Sequence, residues 1–128
     1  MNMKKDLKCY EINIDELNKI IYKFIAKANV EMDGNVEAET MVGQARILAN
    51  DIKINNKFKN MYVSQIQDAF YEGVRDITQT YLKLNIPTYF RWLIKHKETV
   101  DYAEHQVHRL NVNPKQVKYY YEPKKLLK

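Results

Sequence analysis

The stretch MYVSQIQDAFYEGVRDITQTYLKLNIPTYFRWLIKHK, from Met61 to Lys97, organises the chain. Its first half carries apolar residues at helical spacing, and a second apolar period starts directly behind Pro87. Proline lacks a backbone N–H, so a helix tolerates it in the first turn but not in the interior. The stretch therefore predicts two amphipathic helices, the first capped by Ser64 and the second starting behind Pro87, with an irregular break at residues 78–85.

Two further helices precede this pair. Asn13 is typical of an N-cap, whose side-chain oxygen accepts hydrogen bonds from the first turn, and an apolar stripe of about four turns follows it. The turn-forming residues 33–35 end the loop that follows this first helix. A second apolar stripe, over residues 36–54, predicts the second helix. Val42 belongs to the predicted buried face of this second helix, where Gly43 predicts close packing on a neighbouring helix.

The composition favours helices. The chain has 128 residues, 45% of them hydrophobic, with only three glycines and three prolines. Few turn-forming residues argue against a β-sandwich, and the length suits one domain with one core. We expect an all-α domain, a small bundle of about four helices in which the last ends near His108 or Leu110. Residues 1–10 are expected to form a flexible arm, and residues 111–128 an extended C-terminal tail that docks on the body.

The sequence argues against membrane and secreted proteins. No apolar run approaches the roughly 20 residues of a membrane-spanning helix, and the charged start is not followed by the apolar segment of a signal peptide. The single cysteine, Cys9, cannot form an intrachain disulfide, which favours a reducing compartment. We expect no membrane partner and a location in the host-cell cytoplasm or in a virion.

No convergent set of reactive groups marks an enzyme. The three glycines are isolated and form no phosphate-binding loop, and no histidine is placed to activate Cys9. Glu104, His105 and His108 fall close together on one helix, but a metal site needs further ligands and the sequence offers no second cluster. We therefore predict a non-enzymatic protein with no cofactor and no metal.

The Met61–Lys97 stretch is basic. The net charge of the chain is +5, and no acidic residue lies between Asp76 and Glu98. A helix-turn-helix presents the exposed residues at the start of its second helix to the major groove of DNA. The break between the two helices is longer than the 3–4-residue turn of that motif, so the pair is only helix-turn-helix-like. The predicted nucleic-acid contacts are Lys83, Thr88, Arg91, Lys95 and Lys97, of which Thr88, Arg91 and Lys95 point outward on a helical wheel.

Two other interpretations stay open. Charges of this kind are most often a solvated helix face, which also explains the row Lys19, Lys23 and Lys27 on the first helix better than a contact surface does. Alternatively, the chain is a virion structural or protein-interaction subunit, alone or as a homo-oligomer, because aromatic residues are favoured at interfaces. That interface would contain Trp92, Tyr102, Tyr119, Tyr120 and Tyr121.

Three short runs carry a family resemblance. AFYEGVR (Ala69–Arg75), YLKLNIPT (Tyr81–Thr88) and WL (Trp92–Leu93) resemble a pattern in small uncharacterised helical proteins of phages and integrated mobile elements. The resemblance covers the Met61–Lys97 stretch rather than the whole chain, and it transfers no catalytic residue. It implies a mobile-element origin and a role in replication or another DNA transaction. We therefore predict DNA binding, as a replication accessory or regulator, with other phage or host proteins as the alternative partners.

Overall fold

The computed structural model describes residues 6–79 and 83–121, and the regular elements within these ranges are helical. Four α-helices form the body: α1 (Ile14–Glu31), α2 (Ala38–Ile54), α3 (Val63–Arg75) and α4 (Ile86–His108). Short 3₁₀ turns lie before α1, at Cys9–Glu11, and after α4, at Pro114–Gln116. The predicted all-α fold class is confirmed, and none of the described helices is long and apolar enough to span a membrane.

The core runs through all four helices. α1 packs along α2, α3 packs along α4, and the two pairs meet mainly through α1 and α3. The α2–α3 connection also contributes, because Phe58 is 1% exposed. The largest fully buried side chains are Tyr89, Phe58, Leu17, Ile21, Ile25, Leu48, Ile52, Ile66, Leu93 and Cys9. Removing such a set from water is the main stabilising contribution in a bundle of this size.

The start of α1 and the turn that follows it agree with the sequence prediction. The Asn13 side chain accepts a hydrogen bond from the Asp15 N–H at 2.8 Å, as an N-cap should. After α1, Asp33 adopts a left-handed backbone conformation (φ 53°), which Asp tolerates better than most residues. The Gly34 N–H donates to the Asn29 carbonyl at 2.8 Å, which closes the turn. These local bonds bring α1 and α2 side by side.

α2 buries most of its predicted face, namely Met41, Ala45, Leu48, Ala49 and Ile52, but not Val42. Val42 is 46% exposed rather than buried, and a Cβ added at Gly43 would meet nothing within 4 Å. The small residues that face the core are Ala45 and Ala49, which are almost fully buried. The prediction that Gly43 serves close packing inside the chain is therefore wrong, because alanines already allow the approach and Gly43 lies on the outer surface.

The segment before α1 is tied to the start of α3. The Cys9 N–H donates to the Met61 carbonyl at 2.9 Å, and the Val63 N–H donates to the Leu7 carbonyl at 3.0 Å. Cys9 itself is fully buried. Residues 6–10, expected to belong to a flexible arm, thus pack against the body because they carry a buried side chain and paired backbone groups; residues 1–5 lie outside the described ranges.

α3 starts at Val63, and its cap is not the predicted Ser64. Its N-cap position is Tyr62, whose N–H donates to the Gln65 side chain at 2.9 Å. Ser64, the predicted cap, lies inside the first turn, where its hydroxyl donates to Asp6 at 2.5 Å. The prediction failed because Ser64 has a partner from outside the helix, which no local pattern can reveal.

α4 starts as its sequence predicts and leads into a docked tail. Asn85 caps the helix by accepting from the Thr88 N–H at 3.1 Å, and Pro87 falls in the first turn. The helix ends at His108, and Asn111 turns the chain with a left-handed φ of 56°. Val117 is then buried against the body. Residues 111–121 thus lie on the body, and the remainder of the predicted tail, residues 122–128, is outside the described ranges.

Candidate nucleic-acid interface

The buried face of α4 is rotated relative to the predicted one. Thr88, Trp92 and His96 are each no more than 4% exposed, whereas Ile94 is 42% exposed. The three buried positions are four residues apart, so they form one stripe on the helix. The prediction that Thr88 points outward to DNA is therefore wrong. Its side chain faces inward, because the packing of Trp92 determines which side of α4 meets α3.

Lys95 and Lys97 already form ion pairs with carboxylates. The Lys95 ammonium lies 2.7 Å from Asp76, and the Lys97 ammonium lies 2.6 Å from Asp101, one turn further along α4. The hydrogen bond from Lys95, reinforced by the side chain and backbone N–H of Thr78, lowers the pKa of Asp76 to about 2. Exposed ion pairs of this kind are worth at most about 1 kcal/mol, but they reduce the net field that α4 presents.

Arg91 and Lys83 remain on the outer surface. Arg91 is exposed, and no described residue forms an ion pair with it. Lys83 is exposed as well, but its side chain interacts with another group of the chain. The connection between α3 and α4 covers residues 76–85, which is longer than the turn of a helix-turn-helix. Of the predicted DNA contacts, Thr88 is therefore buried, and Lys95 and Lys97 are paired with carboxylates. Only part of the set can offer an uncompensated charge to DNA.

Trp92, predicted as an interface residue, is a core residue. It is 3% exposed, and its indole N–H donates to the Gln79 side chain at 3.0 Å. Its ring packs edge-on against Phe70, with centroids 5.6 Å apart. The ring also lies directly over Gly73, where an added Cβ would lie within 2.5 Å of three ring atoms. The assignment of Trp92 to a protein interface is therefore wrong, because α3 already covers it.

The tail tyrosines contact the body as well. Tyr121 stacks on Tyr62 with ring centroids 4.2 Å apart, and the Tyr120 hydroxyl lies 3.1 Å from His108 Nε2. Tyr119 places its ring edge-on to His96 at 4.8 Å. All three tyrosines are half-buried in these contacts. Of the predicted interface residues only Tyr102, at 60% exposure, is displayed on the surface.

A groove between α1 and α2 was not predicted from the sequence. It has a volume of about 600 Å³ and an open mouth, and we call it the α1–α2 groove. Its lining includes the apolar side chains of Ile20, Val42 and Ala45, together with Tyr22. The Asn18 side-chain oxygen is buried and has no hydrogen-bond partner. The full set of lining residues is Glu16, Asn18, Lys19, Ile20, Tyr22, Lys23, Val42, Ala45 and Arg46.

Three cations rim this groove. Lys19 and Lys23 lie one turn apart on α1, and Arg46 joins them from α2. All three are exposed, and the ion pairs found among the described residues involve Arg75, Lys95 and Lys97 instead. Among the described residues that line the groove, Glu16 supplies the one carboxylate. The positive charge of the described residues is therefore less neutralised by carboxylates at this groove than along α4.

Two potentially reactive side chains, Cys9 and His96, are buried. Burial raises the pKa of the Cys9 thiol to about 12, so the nucleophilic thiolate is scarce at neutral pH. Burial also lowers the pKa of His96, against the opposing influence of Glu72. Its Nε2 is buried and lacks a hydrogen-bond partner in the described part of the chain. Among residues 6–79 and 83–121, no three histidine, cysteine or acidic side chains are grouped to hold a metal ion.

Comparison with known protein families, curated proteins and solved structures found no match to this chain. The assignment of a site therefore rests on geometry and charge. The helical spacing of the sequence had indicated that Lys19, Lys23 and Lys27 form one row on α1. Nothing in the sequence showed that Arg46 of α2 would lie beside Lys19 and Lys23. Lys27 lies instead towards Glu31, whose pKa it helps to lower after the larger influence of Arg75.

Proposed function

We propose that this protein is a non-enzymatic phage or mobile-element protein that binds single-stranded nucleic acid along the α1–α2 groove, as an accessory or regulator of a DNA transaction. The observation that carries the proposal is the cluster of Lys19, Lys23 and Arg46, which form no ion pair with any carboxylate in residues 6–79 and 83–121. Neutralising phosphates with such cations releases condensed counterions, which drives binding of a polyanion. The mobile-element origin rests on the resemblance of the Met61–Lys97 stretch.

The groove suits phosphate contacts better than α4 does. To reach a phosphate, Lys95 would have to leave Asp76, and the separated carboxylate would then repel the same phosphate. Lys19, Lys23 and Arg46 give up no ion pair to a described carboxylate on binding. Three such contacts on one groove outweigh Arg91 on α4, which also lacks an ion pair within the described residues.

The shape of the site favours a single strand over a duplex. The cations lie on both sides of a concave groove, which a flexible strand can enter and a rigid duplex cannot. The Tyr22 ring offers a surface on which a base can stack, a contact worth about 1–3 kcal/mol per base.

Fluorescence anisotropy with a labelled thymidine oligonucleotide tests the proposal. The variant Lys19→Glu/Lys23→Glu/Arg46→Glu should abolish binding at low salt. For the native protein, the logarithm of the binding constant should fall with the logarithm of the salt concentration with a slope of about −2, as three single-strand phosphate contacts require. A duplex of the same length should bind more weakly.

The matched control is the triple variant Arg91→Glu/Lys95→Glu/Lys97→Glu, which changes the net charge by the same amount on α4. It should retain most of the affinity. If the α4 triple variant loses binding and the groove variant does not, α4 is the contact surface. If the native protein binds neither single strand nor duplex at low salt, nucleic-acid binding itself is refuted.

A second candidate function is protein docking at the same groove. The observation that favours it is the apolar part of the groove lining, since Ile20 and Val42 offer alkyl surface that a phosphate backbone cannot cover. The occupant would be an amphipathic helix with acidic flanks, laid with its apolar face against these side chains. In that case the groove triple variant would lose a protein partner, while the native protein would show no affinity for oligonucleotides.

A further inference from the structure

The segment that follows α4 is held to the body through side-chain contacts. It covers residues 113–121, which we call the strap, and it begins behind the left-handed turn at Asn111. The N–H groups of Gln116, Val117 and Tyr120 donate to carbonyls of the strap itself, at 2.8, 3.3 and 3.4 Å. In the described part of the chain, no backbone hydrogen bond joins the strap to the four helices. The strap can therefore lift away without breaking such a bond.

Tyr119 is the strained residue of the strap. Its backbone has a left-handed φ of 65°, which is unfavourable for a bulky L-residue because Cβ then approaches the following carbonyl oxygen. Its ring lies 4.8 Å from the ring of His96, at an interplanar angle of 79°. A strained conformation persists only where surrounding contacts hold it. The closed position of Tyr119 therefore depends on the state of the His96 ring beneath it.

We propose that the strap is a pH-sensitive latch, closed over the neutral His96 ring and released when that ring takes up a proton. Its contacts are with α3, α4 and the cap residue Tyr62, rather than with the α1–α2 groove. The latch therefore does not depend on nucleic-acid binding. Tyr120, Tyr121 and Val100 line one recess of about 480 Å³, so release of the strap opens this recess to solvent.

The closed site cannot accommodate a protonated His96. The residue is 4% exposed, and its Nε2 has no hydrogen-bond partner within residues 6–79 and 83–121. A protonated imidazole carries an N–H on both ring nitrogens, so the Nε2 N–H would be buried without an acceptor, together with the positive charge. When Tyr119 lifts, water reaches the ring and accepts this hydrogen bond. Protonation therefore favours the open strap.

The charged groups around His96 do not offset the cost of burying its charge. The titratable and charged groups that line the space beside it are Glu72, Arg75 and Asp76 from α3, Lys95 from α4 and Tyr119 from the strap. Arg75 is paired with Glu31, and Asp76 with Lys95. Glu72 favours the protonated ring, but burial has the larger influence and lowers the pKa of His96. The strap adds a cation, Lys118, whose ammonium lies 5.1 Å from the Tyr119 ring centroid.

The direction of the pH dependence follows from proton binding. With the strap closed, the pKa of His96 is below its ordinary value of about 6.5, and with the strap open it returns towards that value. The open form therefore binds more protons. Opening should become more favourable as the pH falls below about 6.5, and the closed form should predominate above it.

His108 also contacts the strap, but its contact tolerates protonation. The Tyr120 hydroxyl lies 3.1 Å from His108 Nε2. A hydroxyl can donate to the neutral ring or accept from the protonated ring, so the hydrogen bond persists in both states. His108→Gln is therefore the matched control for His96→Gln, because each substitution removes one histidine of α4 that meets a strap tyrosine.

Heteronuclear ¹⁵N NOE measurements on the full chain test the latch, because they report the fast motion of each backbone N–H. At about pH 7.5 the amides of residues 115–121 should be as rigid as those of α4. At about pH 5 the same amides should become mobile, while the helices keep their chemical shifts. His96→Gln should keep the strap rigid at both pH values, and His108→Gln should respond to pH as the native protein does.

Tyr119→Ala gives an independent measurement, which does not require a variant at His96 to fold. Loss of the covering ring should raise the pKa of His96 towards about 6.5 in an NMR titration of its ring signals. Circular dichroism should show that the helices are retained. An unchanged pKa would overturn the coupling between the strap and His96.

The NOE measurements can overturn the latch in three ways. A strap that is equally rigid or equally mobile at both pH values shows that no pH-dependent opening occurs. A strap that loosens at about pH 5 in His96→Gln as it does in the native protein shows that another group responds to pH. Loss of the helices together with the strap shows global unfolding instead of local release.

Discussion

Replacing Gly73 by alanine should destabilise the protein, although alanine is the better helix former. Gly73 lies within α3, and an added Cβ would lie within 2.5 Å of three atoms of the Trp92 ring. The ring cannot simply move aside. Its N–H is bonded to Gln79 at 3.0 Å, and Gln79 in turn donates to the Gly73 carbonyl at 2.7 Å. Phe70 blocks another direction.

The magnitude follows from two opposing contributions. Glycine to alanine in a helix interior is favourable by about 1 kcal/mol. Forcing a methyl group into a packed core costs about 1–3 kcal/mol, and the constrained Trp92 ring places Gly73 at the upper end of that range. We therefore expect a net loss of about 2 kcal/mol in the free energy of unfolding. For a chain of this size that corresponds to a decrease of about 8 °C in Tm.

Gly43→Ala is the matched control. The same substitution is made within a helix, but the Cβ at residue 43 would meet nothing within 4 Å. Only the propensity contribution remains, so this variant should gain up to about 1 kcal/mol. Urea unfolding followed by circular dichroism, at low protein concentration, measures both variants. The two free energies of unfolding should differ by about 3 kcal/mol, with opposite signs relative to the native protein.

Equal effects of the two substitutions would refute the reasoning, because they would show that the Trp92 ring accommodates the methyl group at no cost. A double-mutant cycle gives an independent check. Trp92→Leu removes the clashing ring atoms, so Gly73→Ala should cost less in that background than in the native one. Additive effects would mean that the destabilisation has another origin.

Three further predictions concern titratable groups. Burial lowers the pKa of His96, so the folded state resists protonation of its ring. The contribution of His96 to the free energy of unfolding should be fully present above about pH 6.5 and should decrease as the pH falls below that value. His96→Phe should weaken this pH dependence in urea titrations between pH 7 and pH 5. Lys95 lowers the pKa of Asp76 from 3.8 to about 2, so this contribution should be present above pH 4 and should disappear as the pH approaches 2. Lys95→Ala should raise the Asp76 pKa in an NMR titration, and an unchanged value would contradict the ion pair. The buried Cys9 thiol, with its pKa raised to about 12, should react with a thiol reagent only at the rate of unfolding, and rapid reaction in the native state would show that the segment before α1 opens.

Local signals in the sequence predicted the helices well. Asn13 and Asn85 cap α1 and α4 with hydrogen bonds to the first turn, and Pro87 marks the start of α4. These signals succeed because capping depends on groups within three residues of each other. The cap of α3 was misplaced, since Ser64 bonds to Asp6, 58 positions away in the chain.

The candidate site was only partly predictable. Exposure of Arg91 followed from the helical period, but the inward orientation of Thr88 did not. A wheel defines an apolar face only to within one residue on either side when the helix carries apolar side chains over half of its circumference. The structure resolves this ambiguity through Trp92, which the packing of α4 on Gly73 turns towards α3.

The sequence by itself determined that this protein is helical, where its helices start and end to within a turn, and that its surface is weakly basic. Those properties depend on backbone geometry and composition, which are local. Only the tertiary structure decided which cations keep their charge available. Lys95 meets Asp76 across the connection between α3 and α4, whereas Arg46 joins Lys19 and Lys23 from another helix and forms no ion pair with a described carboxylate. Such pairings depend on how helices pack, and side chains distant in the sequence determine that packing.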